Sequence, residues 1–198
     1  MEQDRVNRTT MDLLHAVRAI FEAEVAKNTV AAPHLIRVIA QLPELRLDPE
    51  RPKANQLPVC RHLPRALDLG EAGAAAAVVA VFRDLAPTLS WAQSTRHNAQ
   101  NRGADFMDNY AFSDLGLTGS TVLDFGVMLL GPGITYPLTS YPSEGVFLVL
   151  GGSPEWKCGD EPWAHVEAGS IIHRPANGAE GKRPGKEPML AIYAWISQ

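Results

Sequence analysis

Two tyrosines, a threonine, a glutamate and a phenylalanine stand close together in Gly131-Pro-Gly-Ile-Thr-Tyr136-Pro-Leu-Thr139-Ser-Tyr141-Pro-Ser-Glu144-Gly145-Val-Phe147-Leu-Val-Leu-Gly151-Gly152. A phenol can hydrogen-bond a carboxylate or, once ionised, take a proton from carbon. Its unperturbed pKa of about 10 makes it a weak base at neutral pH unless its surroundings lower that value. Tyr136 and Tyr141 are the candidate bases, and Thr139, Glu144 and Phe147 are candidates for contact with a small-molecule ligand. Glu180 lies further on, in Gly178-Ala-Glu-Gly-Lys-Arg-Pro-Gly-Lys186, which reads as a charged loop. Lys182 or Arg183, turned inward from it, would bind a carboxylate by charge and hydrogen bonds. A transition-metal site needs three or four converging imidazole, carboxylate or thiolate groups. These positions supply too few, so no metal and no other cofactor is expected.

The remaining chemistry-bearing residues do not group. His165 and His173 read as structural or surface residues, and His15, His34, His62 and His97 share no ligand spacing. Cys60 and Cys158 are far apart, without zinc-finger spacing or a disulfide framework. No phosphate-binding loop, Ser/His/Asp signature or Cys/His pair is present. The net charge of -4 comes without a long basic run and gives nucleic-acid binding no support. The longest strongly apolar stretch, Ala72 to Phe82, is too short to cross a bilayer. The N-terminus lacks the apolar core of a signal peptide, so a cytoplasmic location is expected.

The elements that must hold these residues change character near residue 115. Before it, periodicity is helical. Met11, Leu14, Val17, Phe21 and Val25 recur at three- and four-residue steps, with Thr9 and Asp12 as a capping-box start. A second helix begins at Pro33 and buries Leu35, Ile36, Ile39 and Leu42. The proline-rich stretch 43–65 reads as an irregular connection, and Ala72 to Leu85 as a third helix. After residue 115 the signals are strand and turn: 122–130, 146–150, 155–157, 164–166, 170–173 and 189–196, with Trp195 on the last strand. Short strands separated by glycine turns indicate a small antiparallel barrel or sandwich.

Several motifs together resemble the dimethylsulfoniopropionate (DMSP) lyase cupin family. They are Asp105-Phe-Met-Asp-Asn-Tyr-Ala-Phe112, Leu129-Leu-Gly-Pro-Gly-Ile-Thr-Tyr-Pro-Leu138, Phe147-Leu-Val-Leu-Gly151, Glu155-Trp156, Ala168-Gly-Ser-Ile-Ile-His-Arg-Pro175 and Glu187-Pro-Met-Leu-Ala-Ile-Tyr-Ala-Trp195. The resemblance implies a mainly β fold, a cupin (jelly-roll) barrel over 105–198 with an N-terminal α-helical extension over 1–104. It also implies β-elimination of DMSP to dimethyl sulfide and acrylate. In the family a divalent transition metal orients the substrate carboxylate while a tyrosine takes the neighbouring proton. Carried over, the two first-motif histidines fall on Thr139 and Tyr141, the ligand glutamate on Gly145 and the tyrosine on Phe147. The second-motif histidine falls on Glu180, while Tyr136 and Trp195 match pocket aromatics. A Tyr141–Glu180 hydrogen bond is the expected metal-free link across the barrel.

Two functions follow from these residues. One is lyase-like elimination with Tyr136 or Tyr141 as base. The other is a non-catalytic cupin that binds a small carboxylate-type ligand through Thr139, Glu144, Phe147, Glu180 and Trp195, or serves as an interaction domain. Without a metal nothing obvious stabilises the enolate-like charge of elimination, which favours the second. A homodimer is expected because cupins commonly pair through barrel faces.

Overall fold

The central strands are apolar on both sides because they lie between two cores. The computed structural model describes residues 1–197. Its strands are β1 (Arg46–Leu47), β2 (Tyr110–Ser113), β3 (Leu117–Thr118), β4 (Leu123–Leu130), β5 (Tyr136–Ser140), β6 (Glu144–Gly151), β7 (Glu155–Cys158), β8 (Ala164–His165), β9 (Ile171–Arg174), β10 (Ala179–Arg183) and β11 (Met189–Ile196). A five-stranded sheet runs in the order β2-β4-β11-β6-β9 and a four-stranded sheet in the order β5-β10-β7-β8. All these pairings are antiparallel, and β1 pairs with β3 apart from them. Side chains alternate faces along a strand. In β6, Val146, Leu148 and Leu150 join the core beneath the helices, while Phe147 and Val149 join the barrel interior. β11 divides in the same way, with Ile192 and Ala194 outward and Ala191 and Tyr193 inward.

Helices cover the outer face of the five-stranded sheet. They are α1 (Glu2–Ala26), α2 (Ala32–Gln41), α3 (Leu63–Gly70) and α4 (Ala76–Leu85); two short helices follow, α5 (Ala99–Arg102) and α6 (Ala104–Met107), and Phe106 of α6 packs into the barrel interior. α1 starts at Glu2, and the expected cap at Thr9 does not form, since the Thr9 hydroxyl donates to the Arg5 carbonyl inside the helix. Leu13, Leu14, Val17 and Phe21 form its buried stripe. In α2, Leu35 and Val38 are buried but Ile36 is 54% exposed, correcting its expected place in the core. One step of about 100° carries it off the buried face.

α3 lies in and beyond the stretch read as irregular. Pro64 sits in its first turn, where a missing N–H is harmless. The third expected helix, 72–85, begins only at Ala76. α3 meets β6 at two glycines. A Cβ on Gly151 would lie 1.9 Å from the Ala66 carbonyl oxygen, and one on Gly70 would lie 2.1 Å from that of Leu150. The stretch 178–186, read as a loop, forms β10. Its charges point alternately into the barrel.

Candidate functional site

β10 supplies the centre of the site. Glu180 and Lys182 face inward, with Gly181 between them facing out beside Trp163. Glu180 is 0% exposed and Lys182 1%. The Lys182 Nζ lies 3.0 Å from Glu180 Oε1. It also sits 4.7–4.8 Å from the ring centroids of Tyr136, Phe147 and Trp156, a cage of aromatic faces around an ammonium. Burial among these rings holds the Lys182 pKa below the usual lysine value, partly offset by Glu180.

A second cation comes from the end of β9. Arg174 is 0% exposed, with Nε 3.7 Å from Glu180 Oε1. Its Nη1 donates to the carbonyls of Ser143 and Pro175, while Nε and Nη2 make no hydrogen bond. The buried cluster therefore sets two cations against one carboxylate.

Beside it, a hydrogen-bonded chain leads in from α5. Arg102 Nε donates to His97 Nδ1 at 3.1 Å, His97 Nε2 meets the Tyr136 hydroxyl at 3.1 Å, and Tyr136 meets the Tyr141 hydroxyl at 2.8 Å. Burial, then Arg102, lowers the His97 pKa and favours its neutral form. Arginine only donates, so Nδ1 is an acceptor and neutral His97 carries its proton on Nε2. His97 then donates to Tyr136; either hydroxyl of the Tyr136–Tyr141 pair can donate to the other, and when Tyr136 does so the Tyr141 proton is left for a ligand. The Tyr136 pKa is raised, by burial first and by Tyr110 and Tyr141 next. The raised value makes Tyr136 a poor proton acceptor at neutral pH.

Glu180, Lys182, Tyr136 and Tyr141 line a cavity of about 330 Å³ with Arg96, Tyr110, Asp124, Tyr193 and Trp195 among its walls. Trp195 stacks on Tyr193 at 4.6 Å and on Tyr141 at 5.5 Å, and its Nε1 makes no hydrogen bond. Burial raises the Asp124 pKa, with Asp114 adding to the effect.

Comparison with known proteins decides the family. The family model for dimethylsulfoniopropionate lyase matches residues 15–191. The chain belongs to this family. It is 27% identical over 97 residues to dimethylsulfoniopropionate lyase DddQ of Ruegeria pomeroyi, covering 47% of this chain and 48% of that protein. It is 29% identical over 143 residues to a putative lyase, DddL, of Cereibacter sphaeroides, covering 70% of this chain and 59% of that protein. The chain thus spans about half to three fifths of these curated relatives. Among solved structures, one described with the DMSP lyases RdDddP and RnDddQII superposes with a TM-score of 0.78 at 22% identity, covering 97% of this chain and 94% of that one. The DMSP lyase DddQ from Ruegeria pomeroyi DSS-3 superposes with a TM-score of 0.74 at 22% identity, covering 97% and 93%. These superpositions establish the mainly β cupin fold with its N-terminal helices.

The family's metal can be tested against the groups inside this barrel. Glu180 is the one carboxylate of the deep cluster, and it is already paired with Lys182 and Arg174. A Cβ on Gly145, the residue expected at the family's glutamate, would lie 3.1 Å from Arg174 Nη2. Two cations and one committed carboxylate do not fit a divalent ion.

The other expected residues divide between pocket and surroundings. Phe147 is a wall of the ammonium cage. Thr139 is opposite Glu180 in the strand register, but its hydroxyl donates to the Pro137 carbonyl. The expected Tyr141–Glu180 hydrogen bond does not form: Tyr141 bonds Tyr136, and Glu180 is paired with Lys182 and Arg174. Glu144 faces the helices and not the pocket. It contacts His34 Nδ1 at 2.5 Å, His173 Nε2 at 3.2 Å and Arg37. These two histidines, read as unconnected, stack at 3.4 Å and 13°. Their ligand atoms and that of Glu144 lie within 4.8 Å of one another. Both ring nitrogens converge on Glu144 Oε1, and Arg37 holds the second Glu144 oxygen. This cluster joins α2 to the edge of the sheet.

His97, Arg102 and Arg174 were not picked out from the sequence as site residues. Arg174 adjoins a family motif, and the inward Glu180/Lys182 pair had a usable signal in its two-residue spacing. His97 and Arg102 come from a polar connection with no local signature.

Proposed function

We propose that this chain is a metal-independent member of the DMSP lyase family that binds a small carboxylate inside its barrel and does not carry out the family's elimination. In this reading Lys182 takes the electrostatic part that the divalent metal has in the family. The observation that carries it is the inward Lys182 ammonium, held among three rings beside Glu180 and Arg174. A carboxylate entering the cavity meets Lys182 and Arg96 in its lining, with Arg174 held against Glu180. It also meets the Tyr141 hydroxyl, whose proton is directed outward by Arg102, His97 and Tyr136. Charge-assisted hydrogen bonds from these groups favour an anion over its neutral analogue. Trp195 and Tyr193 supply an apolar wall for the rest of the ligand.

Elimination from DMSP needs a base for the carbon acid and stabilisation of the charge that develops on the carboxylate. Tyr136 has a raised pKa and a proton already shared with its neighbours. Tyr141 receives a hydrogen bond and presents a donor. The buried Tyr136 does not have the environment of a phenolate. The test is calorimetric titration with propionate and acrylate, with dimethyl sulfide release from DMSP measured in parallel with and without added divalent metals. Propionate binding without metal, lost in Lys182→Met, together with no dimethyl sulfide, is the expected result. Metal-dependent release of dimethyl sulfide would overturn the reading.

A further inference from the structure

We propose that Lys182 is a covalent site: its amine condenses with the ketone of a small 2-oxo carboxylate to form an iminium in the barrel. The inference rests on the carboxylate-binding reading above and names the ligand class that the lysine adds to it. Three features of the structure lead to it. Lys182 borders the cavity and packs against the faces of Tyr136, Phe147 and Trp156, so its amine belongs to an apolar environment. Glu180 Oε1 lies 3.0 Å away and can hold the proton that an ammonium must lose before attack. The Tyr141 hydroxyl borders the same cavity and offers a donor to the carbonyl or carboxylate oxygen. Desolvation of a lysine in an apolar pocket is one of the general ways to make it nucleophilic. The lowered Lys182 pKa is consistent with that environment.

The step balances without a co-reactant. Lys182 passes a proton to Glu180, and the free amine forms a C–N bond to the ketone carbon. The carbonyl π electrons go to oxygen, which takes a proton from the nitrogen. Glu180 returns its proton to the hydroxyl, the C–O bond breaks, and water leaves. The ammonium becomes an iminium of the same charge, so the ion pair with Glu180 survives the reaction. An ester or a simple carboxylate lacks the ketone carbon and stops at binding. The cavity of about 330 Å³ is at the small end of ligand pockets, which suits a short oxo acid.

The experiment incubates the full chain with pyruvate and sodium cyanoborohydride, followed by intact mass and peptide mapping. The expected result is one reduced pyruvate adduct on Lys182 that saturates with pyruvate and is suppressed by propionate. It is lost in Lys182→Arg, which keeps the charge opposite Glu180 but has no nucleophilic amine. No adduct, or non-saturating adducts on exposed lysines such as Lys53 and Lys186, overturns the proposal. Mapping of the wild-type protein decides the matter even where a variant folds poorly. Propionate heat without an adduct removes the covalent step and leaves the carboxylate reading in place. A Lys182 adduct without propionate binding removes the carboxylate reading instead.

Discussion

Replacing Glu180 by glutamine is expected to destabilise the protein far more than replacing Lys182 by methionine. Glu180 lies 3.0 Å from Lys182 Nζ and 3.7 Å from Arg174 Nε, all three side chains being buried. At an effective dielectric constant of about 20, each contact corresponds to roughly 5 kcal/mol of Coulomb attraction before desolvation is counted. Glu180→Gln leaves two buried cations facing each other, and breaking a buried pair in this way costs about 3–5 kcal/mol. Lys182→Met leaves one cation with one carboxylate and places an apolar thioether among the rings, so its cost is expected within about 1 kcal/mol. Urea unfolding measures both, and the shift in midpoint at unchanged slope gives the difference. The pH dependence has a definite sign. Because the folded-state Lys182 pKa is lowered, its stabilising contribution is complete above the unfolded value of about 10.4 and is lost as pH falls through the folded value. Wild type is therefore expected to gain on Lys182→Met as pH rises toward that limit. A Lys182→Met variant that is as unstable as Glu180→Gln would refute the charge arrangement.

Other features are open to equally direct tests. Tyr110, Tyr136 and Tyr193 all have raised pKa values, caused first by burial. Ultraviolet titration of the phenols should show these three ionising above pH 10, and stability should fall as pH rises through their folded values. Normal titration of Tyr136 in the folded protein would contradict its place in the chain to His97. Arg102→Leu removes both a hydrogen bond to His97 Nδ1 and a neighbouring charge. The NMR pH titration of His97 should move upward, while loss of the bond should weaken propionate binding by about 1 kcal/mol. An unmoved titration would show that Arg102 does not set the ring's proton. Gly151→Ala places a methyl 1.9 Å from the Ala66 carbonyl oxygen and should cost about 3 kcal/mol in thermal or urea unfolding. A neutral substitution would show that α3 does not rest on this strand.

The barrel was legible because its strands join two cores and appear as apolar runs, as in Val146–Leu150. β10 was not read as a strand because Ala-Glu-Gly-Lys-Arg has the composition of a solvated loop. Only the cage and Arg174 make its charges interior. Glu144 gives a different lesson. It is one residue from the family's glutamate position, but one residue along a strand reverses the face. The acid therefore serves α2 while Gly145 faces the pocket. Thr9 looked like a cap because a threonine three residues before an aspartate is a local pattern. The helix continues through it because hydrophobic contacts begin one turn earlier, at Val6. His97 reaches Tyr136 across 39 residues, a contact made by the tertiary fold and by nothing in the surrounding sequence.

The unequal signs in the deep cluster have a consequence for how the barrel fills. Arg174 and Lys182 face Glu180 in the deep cluster, so under the proposed reading the ligand that fits best is an anion. Chloride, acetate or phosphate in the surrounding solution competes directly, and apparent affinity falls as their concentration rises. These small anions thus become a variable in ligand choice: a ligand must match their charge and also gain the aromatic wall that a bare inorganic ion cannot use.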